Sequence, residues 1–360
     1  MITKFYVPVL KTKQGEFDGL QLVSQSKRKH IVPLIEVTKL EFDNATGSKP
    51  KTIEKHLDAI VKRISSKWGN SNAFLDTALV NDTIPGGHNC VEYVYTALAK
   101  EKVIPVPTLQ LSTPDEIIAA VKSVKQTYKV DECAIRVFIH DIVSPTLQQD
   151  LTALLDKCNV ELNKCHLILD LNSADFENTE DFSDAIIDHL RSFPEFKRWK
   201  SFSICGGSFP PTNRIKIGVN EVRRGEWAFF NKVVEKMKGQ DFERHINYGD
   251  YGIIAPGHFS FDPFKMDRSA NIRYTHNDIW YVIKGQSLKT KGHEQYFDLA
   301  KNILTSNYYL GEAFSDGDAH LKKCGLRQTS TGNPTVWNKV GFNHHFSKVI
   351  EDLSASYLAA

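Results

Sequence analysis

The sequence predicts an α/β protein built as a TIM-like (β/α)8 barrel with a C-terminal capping extension. Three observations carry that prediction. Short β-branched runs alternate with amphipathic stretches, the mark of parallel βαβ construction. The alternation continues through eight units, which favours closure, and the GxGxxG expected after the first strand of an open dinucleotide-binding sheet is absent.

The units follow in order. A strand from Lys4 to Leu10 leads to a short helix from Gly15 to about Gln25. A second, Ile31 to Val37, precedes a helix from Lys51 to Trp68, where Ile53, Leu57, Ile60, Val61 and Ile64 fall at helical spacing. The third strand, Ala73 to Leu79, is followed by a helix near Cys90 to Lys100, and the fourth, Val103 to Leu111, by a helix that Thr113 and Glu116 open as a capping box with Pro114 at its first position. Cys133 to Ile139 is the fifth strand, with a helix from Ser144 and Pro145 to Cys158. His166 to Leu171 is the sixth, with a helix from Thr179 to Arg191. Ser201 to Cys205 and a helix over Gly225 to Met237 make the seventh unit, and Tyr251 to Ala255 the eighth strand. These divide the chain into a barrel over 1–256 and an extension over 257–360, with helices near His293 to Ser306 and Phe346 to Leu358.

Composition narrows the function classes. With 45 Lys+Arg against 43 Asp+Glu, the formal charge of +2 lacks the whole-chain basicity of a non-specific nucleic-acid binder, although a local basic groove is compatible with it. Six scattered cysteines form no CxxC or CxxH pair, so neither a zinc ribbon nor a disulfide framework is indicated. The first apolar run is too short for a signal segment or a span, and a cytoplasmic protein with reduced thiols and no membrane association is expected. No P-loop, HExxH, GxSxG or EF-hand pattern is present.

Barrels of this kind react at the C-terminal ends of their strands, so a polar residue that closes an apolar run is a candidate for chemistry. Glu36 closes IVPLIE, Asp76 closes AFLD, Gln110 ends PVPTLQ and Asp170 closes HLILD. Arg136, inside CAIRVFI, needs a carboxylate partner if it faces inward. Two readings stand side by side: ion pairs that only organise the core, or carboxylates around a pocket that bind a divalent cation or act as acid and base. Lys11 and Lys13 leave the first strand at the same face, and CGGSFPP with Ser208 follows the seventh, where glycines let backbone N–H groups meet an anion or simply make a tight turn. Arg224, Arg273, Tyr274 and Lys284 are further phosphate or base contacts, or else helix ends and packing residues. His344 and His345 are adjacent and cannot share one face, so at most one is functional.

Spaced motifs run almost end to end: VPVLKTKQGE, IVPLIEV, LILDL, GGSFP, RRGEW, YGDYG, NIRYTHNDIWYVIKGQ, FSDGD and VWNKVGFNHHFSKVIEDL. Together they resemble the "beta family" proteins of phages, prophages and bacterial genomic islands, with Asp316 departing from a more usual aromatic. The resemblance implies a mobile-element context of phage–host conflict, without a settled chemistry. It implies that Lys11, Glu16, Glu36, Asp170, Ser208, Arg224, Glu226, Asp250, Arg273, Tyr274, Lys284 and His345 belong to shared motifs.

Two functions follow as expectations. The first is metal-assisted hydrolysis of a phosphodiester or nucleotide. Glu36, Asp76, Asp170 and Asp250 would be catalytic, Glu36 and Asp170 would hold Mg or Mn, and Lys11, Lys13, Arg136, Ser208, Arg224, Arg273, Tyr274, Lys284 and His345 would grip a phosphorylated small molecule or nucleic acid. The second is a non-catalytic sensor or adaptor in phage defence or counter-defence, binding a nucleotide or a protein partner from the same locus.

Overall fold

A computed structural model describes residues 4–40, 52–82, 84–257 and 267–355. Seven parallel strands come first: β1 (Val7–Leu10), β2 (Leu34–Glu36), β3 (Phe74–Asp76), β4 (Val106–Gln110), β5 (Cys133–Phe138), β6 (Cys165–Asp170) and β7 (Ser201–Gly206). After them come β8 (Gly218–Arg223), β9 (Asn247–Asp250), β10 (Ser269–His276) and β11 (Ile279–Ser287). The first seven strands and β9 close a barrel, which Val7 seals by pairing with Gly249. The expected (β/α)8 architecture is therefore what the chain adopts.

The eighth barrel strand is a correction. It is Asn247–Asp250, and the apolar run Tyr251 to Ala255 lies beyond it because Gly252 turns the backbone to φ +64, where an extended strand ends. Gly249 is required inside the strand, since a Cβ there would stand 2.2 Å from Cys205 Sγ. Other boundaries shift by a few residues. The helix after β4 runs Asp115–Tyr128 with Pro114 as its cap, and no capping box forms because the Thr113 hydroxyl accepts from Gln110 N at 2.9 Å instead. Lys51, where a helix was expected to start, lies outside the described residues; that helix is Ile53–Lys67, capped by Thr52.

β8, β10 and β11 form a second, antiparallel sheet in the order β10-β11-β8, so the extension takes one strand from within residues 1–256. Both faces of its β10–β11 hairpin are largely buried, whereas β8 at the edge alternates half-buried and exposed residues. Trp280 and Val282 join the main core, whereas Ile272, Tyr274, Tyr281 and Ile283 join a second core with Tyr296, Ile303, Leu321 and Trp337. Only helices near 293–306 and 346–358 were expected in the extension. The structure adds a helix over Asp316–Gly325 and starts the last one at Pro334, running to Leu353; residues 356–358 of the expected helix lie outside the described residues.

The helix Pro334–Leu353 fixes the extension to the barrel. Every residue from Val340 to Ile350 is buried, as in a helix packed on all sides. Burying Phe342, Phe346, Val349 and Ile350 contributes about 1.5–3 kcal/mol for each large apolar side chain. Close approach to the helix Gln14–Gln21 depends on Gly19, where a Cβ would lie 2.9 Å from Lys339 O.

Candidate functional site at the barrel mouth

Register decides which strand-end side chains share the mouth. Glu36 aligns with Asp76, Gln110 with Arg136, and Phe138 with Asp170, so all of these turn toward the barrel axis at its C-terminal end. The same row continues from Asp170 to Cys205 and Gly249. Asp250 is one residue beyond Gly249 and therefore faces the opposite way, out of the barrel.

Arg136 sits at the centre of the mouth. Its Nη1 donates to Glu36 Oε1 and to Asp76 Oδ2, each at 2.8 Å. Nε and Nη2 both donate to Asp170 Oδ2, at 2.9 and 2.5 Å, and Nη2 also reaches Tyr251 Oη at 3.0 Å. The Tyr251 hydroxyl in turn donates to Asp170 Oδ2 at 2.7 Å. Burial works against the guanidinium charge, but the surrounding Asp170, Tyr251, Glu36 and Asp76 outweigh it and hold the Arg136 pKa well above its ordinary value.

The remaining carboxylate oxygens are not equivalent. Asp76 Oδ1 accepts from Ala78 N at 2.9 Å and Asp170 Oδ1 from Asn172 N at 2.8 Å, so each aspartate closes an Asx turn at its strand end. Gln110 Nε2 is a second donor to Asp76 Oδ2, at 3.1 Å. Glu36 alone keeps an oxygen, Oε2, with no donor among the described residues, and at 8% it is the most exposed of the three. The Phe138 ring, at the C-terminal end of β5, lies 5.2 Å from the guanidinium and stacks at 5.6 Å on the exposed His140.

Lys11 is buried at the rim and donates to Gly257 O; burial lowers its pKa, opposed by Glu36 and Glu16. Lys13 is exposed and stands at the start of the helix Gln14–Gln21. Glu16 accepts from Lys11 N at 2.7 Å, and burial pushes its carboxyl up to about 7.

A second polar network occupies the seam between barrel and extension. Asp250 Oδ2 accepts from His345 Nε2 at 2.9 Å and Oδ1 from the Tyr6 hydroxyl at 2.5 Å and Gly252 N at 2.9 Å. His345 Nδ1 meets Thr275 Oγ1 at 2.8 Å. Burial lowers the His345 pKa, so a neutral ring donates to Asp250 and accepts from Thr275. Ser208 donates to Glu226 Oε2 at 2.5 Å, and burial pushes the Glu226 carboxyl up to about 7. Arg224, wholly buried, donates to Asn277 O at 2.6 Å and to Asp352 at 3.4 Å.

The expected residues thus divide between places. Glu36, Asp76, Arg136, Asp170 and Lys11 meet at the mouth. Asp250, His345, Ser208 and Arg224 lie in the seam, and Tyr274 is inside the second core, donating to Asp318 Oδ1 at 2.7 Å. Arg273 and Lys284 meet at the loop after β7. Sequence reasoning missed Tyr251 and Phe138. Their signals were an aromatic just after the Asp of YGDYG and one two residues after the inward Arg136.

A divalent cation would need several carboxylate oxygens free around one point. Here the guanidinium of Arg136 already takes one oxygen from each of Glu36, Asp76 and Asp170, and the donor set does not fit Mg or Mn. Among the described residues no group of three or more His, Cys, Asp or Glu is arranged to hold a metal ion, and no helix is long and apolar enough to cross a membrane.

A closed parallel barrel with an arginine-centred mouth and an antiparallel sheet clamped to its side defines the class: a TIM-like barrel protein with a capping extension. Residues 6–351 match the family model described as Beta protein, and the chain belongs to that family. No curated protein matches the chain. Among solved structures, a GH138 enzyme targeting pectin rhamnogalacturonan II is similar at 11% identity over 69% of this chain and 34% of that chain, with a TM-score of 0.34. That likeness is too slight to bear on function.

Proposed function

We propose that this protein is a recognition barrel whose mouth binds a small polar ligand bearing a planar ring and a hydrogen-bond donor, a nucleoside or nucleotide being the class that fits. One observation carries the reading: of the carboxylate oxygens around Arg136, Glu36 Oε2 alone has no donor among the described residues and is left to accept from a ligand. The guanidinium holds Glu36 in place, and the exposed His140 stacked on Phe138 offers a surface for a ring beside it. In the phage-defence or counter-defence setting that the family resemblance implies, such a barrel acts as a sensor or adaptor.

Calorimetry with nucleosides and nucleotides, alongside turnover assays on nucleotides, DNA and RNA with Mg2+ or Mn2+, tests this. Saturable binding without hydrolysis is expected, weakened about tenfold or more in Glu36→Gln, where a charged acceptor is replaced by a neutral amide. Metal-dependent cleavage that Asp170→Asn abolishes would instead support the hydrolase.

A further inference from the structure

We propose that Arg273 and Lys284 form a binding site for a phosphate-type oxyanion at the loop that follows β7. The site is separate from the mouth cluster and does not depend on the nucleoside reading. Register sets the two cations side by side: Asn271 pairs with Lys284 and Arg273 with Val282, so both side chains leave the β10–β11 hairpin on one face. That face is turned to the barrel, as Trp280 and Val282 in the main core show.

Arg273 lies over the Phe209 ring at 5.0 Å, donating from Nη1 to Ile253 O at 2.9 Å and from Nη2 to Thr212 Oγ1 at 3.1 Å. Lys284 Nζ donates to Thr212 O at 2.9 Å and Ile215 O at 2.8 Å. Both cations converge on Thr212, and every acceptor they use is neutral. Among the described residues neither has a carboxylate partner, and Arg273 Nε is buried with no acceptor. Exposed Arg214 and Lys216 add positive charge on the same loop.

Two half-buried cations without a counter-ion cost free energy, Arg273 the more so because its Nε is buried. Burial accordingly pulls Arg273 down to about 10 and lowers Lys284. An oxyanion would offset that cost, because a guanidinium fork, an ammonium and a threonine hydroxyl match several oxygens of one phosphoryl group. The loop after the seventh strand is also where barrels of this class commonly take phosphate. A purely structural role, stapling the loop through its carbonyls, predicts no affinity for an anion.

Inorganic phosphate titrated into the whole protein at low ionic strength separates the two. Saturable binding is expected, weakened about tenfold or more in Arg273→Gln and in Lys284→Gln, each folded by circular dichroism. If Arg273→Gln does not fold, Lys284→Gln decides, since an amide can keep one loop contact. Absence of saturable phosphate binding to the wild type, or undiminished affinity in the folded variants, overturns the site. A nucleoside monophosphate that binds more tightly than phosphate and loses that affinity in Lys284→Gln identifies a nucleotide as its source; a Lys284-dependent affinity equal to that of phosphate identifies free phosphate. Phosphate probes this site without the mouth and an unphosphorylated nucleoside probes the mouth without this site, so failure of one leaves the other standing.

Discussion

The mouth around Arg136 and the seam around Asp250 use the same chemistry, a carboxylate at a strand end whose one oxygen closes a turn on the backbone two residues ahead. They differ in what the other oxygen meets. Asp170 Oδ2 shares a guanidinium with Glu36 and Asp76, whereas Asp250 Oδ2 meets His345 of the last helix while its turn-closing oxygen also takes the Tyr6 hydroxyl; both aspartates are buried. A one-residue difference in register produces the split, because adjacent residues of a strand face opposite sides. The lesson is that residue type and strand-end position do not assign function; the face does. Substitution of Glu36 should alter binding, whereas substitutions that unpair Arg136 or the seam should alter stability.

The largest effect belongs to the buried cation that holds the mouth together. Arg136→Met strands three carboxylates without their shared partner and should destabilise the fold by about 3–5 kcal/mol in urea unfolding. A loss below about 1 kcal/mol would mean the cluster is not coupled as described. Asp250→Ala leaves the Tyr6 hydroxyl, the His345 N–H and Gly252 N without an acceptor, and a loss of about 2–4 kcal/mol is expected with nucleoside affinity unchanged in the folded fraction. Altered affinity at constant fold would break the division between the regions.

Acid and alkali act on His345 and Glu16 in opposite senses. His345 has its pKa lowered by burial, so the unfolded chain takes up its proton first and stability falls as pH drops below the ordinary value of 6.5. Glu16, near the mouth, is pushed up from 4.5 to about 7, so the folded state keeps its proton longer and stability falls as pH rises through that window. Glu16→Gln can still accept from Lys11 N and Lys13 N, and should remove that slope, on the order of 1 kcal/mol per pH unit, in unfolding measured at successive pH values. The smallest stability change belongs to Glu36→Gln, below about 1 kcal/mol, because Arg136 keeps its other partners.

Much of the fold was legible because parallel strands buried on both faces read as apolar runs such as LILD, and amphipathic helices such as Thr179–Arg191 keep their period. The extension was less so. NIRYTHNDIWYVIKGQ carries aromatics and apolar residues on both faces, since the hairpin is buried on both sides, and its turn at Asn277 (φ 45) was the overlooked signal. At the mouth, Glu36, Asp76, Asp170 and Arg136 were legible as strand-end polar residues. Asp250 was not separable from them, because Tyr251 to Ala255 read as the strand and hid the true register.

Manganese binding, followed by electron paramagnetic resonance in the wild type and in Arg136→Met, bears most directly on a mouth built around an internal cation. That architecture predicts no saturable Mn2+ uptake by the wild type and uptake by the variant, whose freed carboxylates resemble a metal site. Stoichiometric uptake by the wild type, lost in Asp170→Asn, contradicts it.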